Sequence, residues 1–128
     1  MSERCIPTNL LVQKVSQKLK GDAVASFTHL SLCGESMAGF DATTTDFTDE
    51  LTREAVTPTL AKITVTDDAV VMTKSAWKPG VDTIYGAGVF CGLTDATLQA
   101  FHEWAASVQF EANDTVTETI KTQSKQGA

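Results

Sequence analysis

The sequence predicts a mostly β protein, an antiparallel β-sandwich or barrel that follows one N-terminal helix. Apolar side chains alternate with a period of two over about 60–122, and turn residues interrupt that stretch at short intervals. A helical spacing of apolar residues is confined to 8–20. A chain of 128 residues suits one domain. We therefore expect an N-terminal arm and helix at 1–22, a sandwich domain at 23–122 and a polar tail at 123–128.

The helix is expected at 8–20. Leu11, Val15 and Leu19 recur every four residues and form an apolar stripe, and Gly21 stands where a helix commonly ends. A helix this short is marginal in isolation, so the stripe must be buried against something. We expect it to form an interface with a neighbouring subunit, with packing in the core of its own subunit as the equal alternative.

Three segments are expected before the alternating stretch. Apolar residues at short spacing predict a strand at 24–33. A loop at 34–50 is rich in Gly, Ser, Thr and Asp. A short helix is predicted at 46–54, because Thr45 or Asp46 is a suitable N-cap.

The rest of the chain is predicted to consist of strands joined by tight turns. The expected strands are 60–66, 69–77, 81–90, 97–104, 106–112 and 115–122. As an alternative, 97–104 and 106–112 form a single bent strand. Gly86 and Gly88 lie inside a predicted strand, which indicates a bulge or a close approach of another backbone. The last strand is polar enough to be an exposed sheet edge or to pair with another subunit.

Composition and charge exclude several classes of function. The net charge of -6 argues against an electrostatic nucleic-acid binder, which needs a basic face. Four basic and two acidic side chains give 1–22 a charge of +2, so the remainder carries -8. We interpret those lysines as a solvated helix face, the alternative being a head-to-tail contact with an acidic neighbour. Neither a secretory signal nor a membrane span is expected, and synthesis in a reducing cytoplasm is predicted.

The residues that could carry chemistry form no recognisable motif. Cys5, Cys33 and Cys91 are odd in number and widely spaced, with no CxxC pair, which excludes a disulfide framework or a zinc motif. His29 and His102 could join Cys33 and Cys91 in a metal site, but their spacing does not require it. We therefore expect no catalytic, cofactor-binding or metal-binding residues. The enzymatic alternative uses His102 with Cys91 or with an acidic residue.

The aromatic residues are expected mainly in the core, with two exceptions. Trp77 and Trp104 each end a predicted strand, where an aromatic side chain can anchor a contact between subunits. In a second interpretation the domain binds carbohydrate or a host surface, and Trp77, Tyr85 and Trp104 form an exposed aromatic platform.

The order of the segments resembles a group of small virion proteins of tailed bacteriophages, described as tail or neck appendages, fibres or head-decoration proteins. In that group a Gly/Thr-rich turn precedes a DTxLxxE segment, and a hairpin, an Ixx(A/G)G(V/L)F strand and a final xDx(V/L) strand follow. The corresponding segments are 25–34, 48–56, 63–72, 83–90, 96–104 and 113–120. The resemblance extends over roughly 23–122. Leu51 and Glu54 keep their places, whereas Thr48-Asp49 reverses the usual order and Gly86 replaces a common acidic residue.

This resemblance implies a non-enzymatic structural component of a virion, made in the host cytoplasm. It implies contacts with copies of itself and with other virion proteins in the head surface, neck or tail. A homo-oligomer is expected, with no cofactor, no nucleic acid and no membrane as partners.

Overall fold

The computed structural model describes residues 3–63, 66–67, 69–95 and 97–123. Within these residues the chain forms eight strands and one helix. Their bounds are β1 Arg4–Pro7, α1 Asn9–Lys20, β2 His29–Cys33, β3 Glu50–Ala55, β4 Thr59–Ala61, β5 Ala69–Trp77, β6 Asp82–Phe90, β7 Ala100–Phe110 and β8 Val116–Gln123. The predicted class, mostly β with an N-terminal helix, is confirmed.

The strands form two antiparallel sheets that pack face to face. The first sheet has the order β1-β7-β6-β2-β3, and the second has the order β4-β5-β8. The main core lies between them, because its buried side chains come from β2, β6 and β7 on one side and from β5 and β8 on the other. This is the layer arrangement of a sandwich, in which alternate residues of each strand point inward.

Trp77 is a central residue of this intersheet core. Its side chain is only 2% exposed, and it packs with Met72, Ile84 and Ile120. The expectation that Trp77 anchors a surface contact is therefore wrong. The strand end that seemed peripheral in the sequence is covered, because the side chain of Trp77 points into the space between the sheets, where Ile84 and Phe110 of the first sheet pack around it.

A second core covers the outer face of the first sheet. The loop between β2 and β3 folds back over that face, and its Met37 and Phe47 pack on Phe90 and Phe101. Phe47 meets the ring of Phe90 edge-on, with centroids 5.6 Å apart. The central part of the first sheet, around Phe90 and Phe101, is thus buried on both faces, and the Thr/Asp-rich loop acts as a third layer over it.

The two glycines of β6 permit that loop to approach. A Cβ on Gly86 would lie 2.2 Å from the carbonyl oxygen of His102 and 2.5 Å from Sδ of Met37. A Cβ on Gly88 would lie 2.5 Å from the ring of Phe47. The pairing of β6 with β7 also shifts its register between Ile84 and Gly86. Both expectations, a close approach and a bulge, are confirmed.

The helix predicted at 46–54 is wrong, because part of that segment is strand β3. β3 pairs with β2, and the register shifts so that Cys33 lies opposite Glu50 whereas Leu32 lies opposite Thr52. Leu51 is therefore an extra residue, and Glu50 and Arg53 lie on the same face. A bulge in a strand and a turn of helix both bring residues i and i+3 together, so the local charge pattern did not distinguish them.

Other boundaries differ in smaller ways. The predicted strand at 24–33 begins only at His29, and the alternative of one bent strand holds for β7. Gln123 ends β8 rather than beginning the tail. Strand β1 was not predicted at all. The predicted tail at 124–128 and residues 64, 65 and 68 of the predicted hairpin lie outside the described residues.

The predicted helix is confirmed, with its C-terminal glycine. Gly21 adopts a φ of +107°, a left-handed conformation that favours glycine, and its N–H bonds the carbonyl of Lys18. At the other end, the N–H of Asn9 donates to the carbonyl of Ala42 at 2.8 Å. Within the described residues, no helix is both long and apolar enough to span a membrane.

Candidate interaction groove

A groove runs between α1 and one end of the sandwich, with a volume of about 480 Å³. We call it the helix groove. Its lining comes from α1, from residues 24–27, and from Pro58 with the adjoining parts of β4 and β5. Its main apolar side chains are Leu11, Val15, Leu19, Phe27, Leu60 and Val70. A pocket of this size and apolar lining is in the range of natural binding sites.

The predicted apolar stripe of α1 divides into a buried and an exposed part. Leu11 is buried, whereas Val15 is 47% and Leu19 is 84% exposed. Across the groove, Leu60 of the short strand β4 is 62% exposed. Leu11 therefore packs within its own subunit, whereas Val15 and Leu19 remain open at the surface, and their contact with a neighbouring subunit stays a prediction.

The groove is apolar inside and positive at its rim. The charged side chains that line it are Lys14 and Lys18. α1 has no acidic residue in its first turn and two lysines, Lys18 and Lys20, in its last turn, where they complement the helix dipole. Lys14 also approaches Cys91, with Nζ 3.6 Å from Sγ. Burial raises the pKa of the Cys91 thiol, and the nearby Lys14 opposes that rise.

A separate cluster of titratable residues lies where β7, β1 and β8 meet. The ring of His102 bonds Glu118 through Nδ1 and Oε2 of Glu3 through Nε2, the second at 2.6 Å. Glu118 is buried and also accepts the indole N–H of Trp104 at 2.9 Å. The hydrogen bond to Glu118 raises the pKa of His102 to about 9, against the opposing effect of burial.

The imidazole of this cluster is therefore a cation at neutral pH, held between two carboxylates. A protonated histidine with both nitrogens engaged is not available as a general base. The small pocket beside it, about 350 Å³, is lined by Glu3, Cys5, His102, Thr119 and Lys121. Burial, Glu118 and Glu3 all raise the pKa of the Cys5 thiol, which disfavours the nucleophilic thiolate.

Of the two partners expected for His102 in the enzymatic alternative, an acidic residue lies beside the ring, since Glu118 and Glu3 both bond it, but Cys91 does not. Cys91 contacts Lys14 and the carbonyl of Ala25, whereas His102 bonds acidic residues of β8 and the N-terminal arm. Cys33 is buried at the end of β2, and burial raises the pKa of its thiol to about 12. Among the described residues, no group of three or more His, Cys, Asp or Glu side chains is placed to hold a metal ion.

The aromatic platform also fails to form. Trp77 and Trp104 belong to the intersheet core, Trp104 being half-buried at its margin. Tyr85 packs against the second core on the opposite face of the first sheet. The three side chains therefore share no surface, and the idea that they form one exposed platform is wrong.

A buried arginine joins β3 to the turn after β6. The Arg53 guanidinium stacks on the ring of Phe90, with Cζ 3.8 Å from the centroid. Its Nη1 donates to the carbonyls of Gly92 and Asp95, both at 2.7 Å, and its Nε pairs with Glu50 at 2.6 Å. This contact braces β3 against β6 and the turn after it, a structural role that the sequence did not indicate.

The side of the helix groove that faces α1 could not be predicted from the sequence. Leu60, Phe27 and Val70 were assigned to strands, and nothing in their local pattern indicates that they face α1. Glu118 was likewise unrecognised, because it occupies one inward position of an otherwise polar alternating strand. Comparisons of the chain with protein-family models, curated proteins and solved structures found no match.

Proposed function

We propose that this chain is a non-enzymatic structural subunit of a tailed-phage virion and that it acts through contacts between subunits. The observation that carries the proposal is the helix groove, in which Val15, Leu19 and Leu60 form one open apolar surface. The order of segments over 23–122, which resembles virion structural proteins, supports it. The proposed partners are copies of the chain and other virion proteins.

The groove supports an assembly role because its exposed apolar side chains are contiguous, which is uncommon on the surface of a monomeric protein. Single exposed leucines are common on soluble proteins, but apolar surfaces that line one concavity usually mark binding sites. Leu19 is 84% exposed on a helix that has an apolar stripe, so its burial against a partner would remove unfavourable contact with water. Among the described residues, β8 is an edge strand of the second sheet, and such an edge adds a second surface for contacts.

The chemistry of the titratable groups supports a non-enzymatic role. His102 is held as a cation by Glu118 and Glu3. The pKa values of Cys5, Cys33 and Cys91 are all raised above that of an ordinary thiol, mainly by burial. These conditions disfavour both a general base and a thiolate nucleophile.

The decisive experiment uses particles of a tailed phage that encodes this chain. Purified particles should contain the chain in a constant number of copies, measured by quantitative mass spectrometry after density-gradient centrifugation. A chain that is expressed in the infected cell but separates from the particles would refute the proposal.

Two variants test whether the helix groove carries the contact. Val15→Asp should yield a folded chain that is not incorporated into particles, because it places a charge on the apolar surface. Val12→Asp is the matched control, since Val12 is on the same helix and exposed but does not line the groove. Circular dichroism of the purified variants separates failed assembly from failed folding, and an unfolded Val15→Asp chain would indicate a core role for the stripe.

A further inference from the structure

The helix groove and the opposite end of the sandwich differ in charge. The groove lies at the end where β2 begins and β6 ends, since His29 pairs with Phe90. The loops at 78–81 and 111–115 lie at the other end, where Asp82 pairs with Phe110. β6 has nine residues, so the two ends are about 26 Å apart at roughly 3.3 Å per residue.

The far end carries one exposed apolar side chain among acidic residues. Val81 is 65% exposed in the turn before β6. Asp82 follows it directly, Glu111 and Asp114 are exposed in the neighbouring loop, and the Val81 loop also carries the exposed Lys78. With three carboxylates against one lysine this apolar tip is net negative, and it complements an apolar groove that has Lys14 and Lys18 at its rim.

A symmetric contact between two grooves is disfavoured by the same charges. Lys14 and Lys18 line the groove and α1 carries no acidic residue, whereas Lys20 lies outside the groove and pairs with Asp22 at 3.6 Å. A two-fold contact would place the lysines of both copies at one interface, where like charges repel. The lysines at the rim favour an occupant that brings carboxylates, and the far end of the chain itself has them.

We propose that the helix groove receives the Val81 loop of a second copy, so that subunits associate head to tail. This inference rests on the proposed function, because it specifies how copies of the chain contact one another. A heterologous contact of this kind leaves one groove and one loop free at the ends of an open stack. Repetition produces either such a stack or a closed ring, the smallest ring being two copies in which each loop fills the other's groove.

The test is a mixing experiment on the purified full chain. Leu19→Asp blocks the groove but keeps the loop, and Val81→Asp blocks the loop but keeps the groove. Each variant alone should remain monomeric by sedimentation velocity, with association at least ~30-fold weaker than that of the unmodified chain, since a buried unpaired charge opposes the contact. An equimolar mixture should form a one-to-one dimer, because one intact groove meets one intact loop.

Matched controls separate this inference from the proposed function. Val12→Asp adds the same charge to an exposed valine outside the groove and should associate like the unmodified chain. Association should also weaken as the salt concentration rises, because lysines meet carboxylates at the rim. The head-to-tail contact would be overturned if Leu19→Asp or Val81→Asp associated as strongly as the unmodified chain. A mixture of the two variants that stays monomeric would also overturn it. A chain that is monomeric alone yet present in particles would overturn the contact and leave the proposed function intact.

Discussion

The protonation of His102 makes the stability of the fold depend on pH. The ring lies between Glu118 and Glu3, which ties β7 to β8 and to the N-terminal arm. The perturbation is a rise in pH, which removes the second proton of the imidazole ring. His102 then loses its positive charge, and with it the ion pairs to Glu118 and Glu3. We predict that the free energy of unfolding falls between about pH 6.5 and about pH 9.

The sign follows from the direction of the pKa shift. The folded-state pKa of His102 is raised from 6.5 to about 9, so the folded chain binds the proton more tightly than the unfolded chain. The resulting stabilisation is fully present below the unfolded pKa and is lost as the pH rises through the folded pKa. The difference between the two values corresponds to roughly 3 kcal/mol.

The assay is urea unfolding at about pH 6 and about pH 9.5, followed by tryptophan fluorescence, because Trp77 is buried in the core. The control is His102→Gln, which cannot be protonated. The raised pKa of Cys33 also lowers stability at high pH, because its thiol ionises more readily in the unfolded chain. This contribution is the same in the unmodified chain and in His102→Gln, so it cancels when the two proteins are compared. An equal loss of stability in both proteins would refute the assigned role of His102.

Three further predictions concern packing, each measured as the free energy of unfolding in urea. Gly86→Ala should cost about 3 kcal/mol or more, because its Cβ would meet a backbone oxygen at 2.2 Å, whereas Gly92→Ala, with no atom nearer than 3.6 Å, should change stability by less than about 0.5 kcal/mol. Equal effects would contradict the close approach. Arg53→Lys should cost about 2 kcal/mol, since a lysine cannot keep both carbonyl bonds and the stacking contact; a neutral result would exclude this bracing role. Trp77→Ala should cost about 3–5 kcal/mol, because it removes a large buried side chain. Trp77→Phe should cost much less, because the buried indole N–H of Trp77 has no hydrogen-bond partner in the described part of the chain and none is lost. Similar costs for the two variants would contradict this.

The sequence pattern predicted the elements whose cause is local. The stripe Leu11, Val15 and Leu19 and the glycine that follows it describe α1 almost to its ends. The alternation after residue 60 predicted β5, β6 and β8, because a strand with one inward face repeats every two residues. Gly86 and Gly88 predicted that another part of the chain approaches β6 closely, since only a residue without a side chain leaves room for it.

The failures occur where distant contacts decide the outcome. The segment at 46–54 has the charges and cap of a helix, yet pairing with β2 makes part of it a strand. Trp77 ends a strand, and only the packing of the first sheet over its side chain shows that it is covered. β1 is too short for a periodic signal and exists because β7 offers a free edge for it.

For this protein, local spacing along the sequence determined the class of fold, the helix and the positions of most strands, because periods of two and of 3.6 residues are properties of neighbouring residues. Tertiary structure alone decided which apolar side chains remain open at the helix groove and how His102 is charged. Both depend on residues far apart in the chain. Leu60 faces α1 and Glu118 faces His102 only after two sheets have packed together, and no local pattern contains that information.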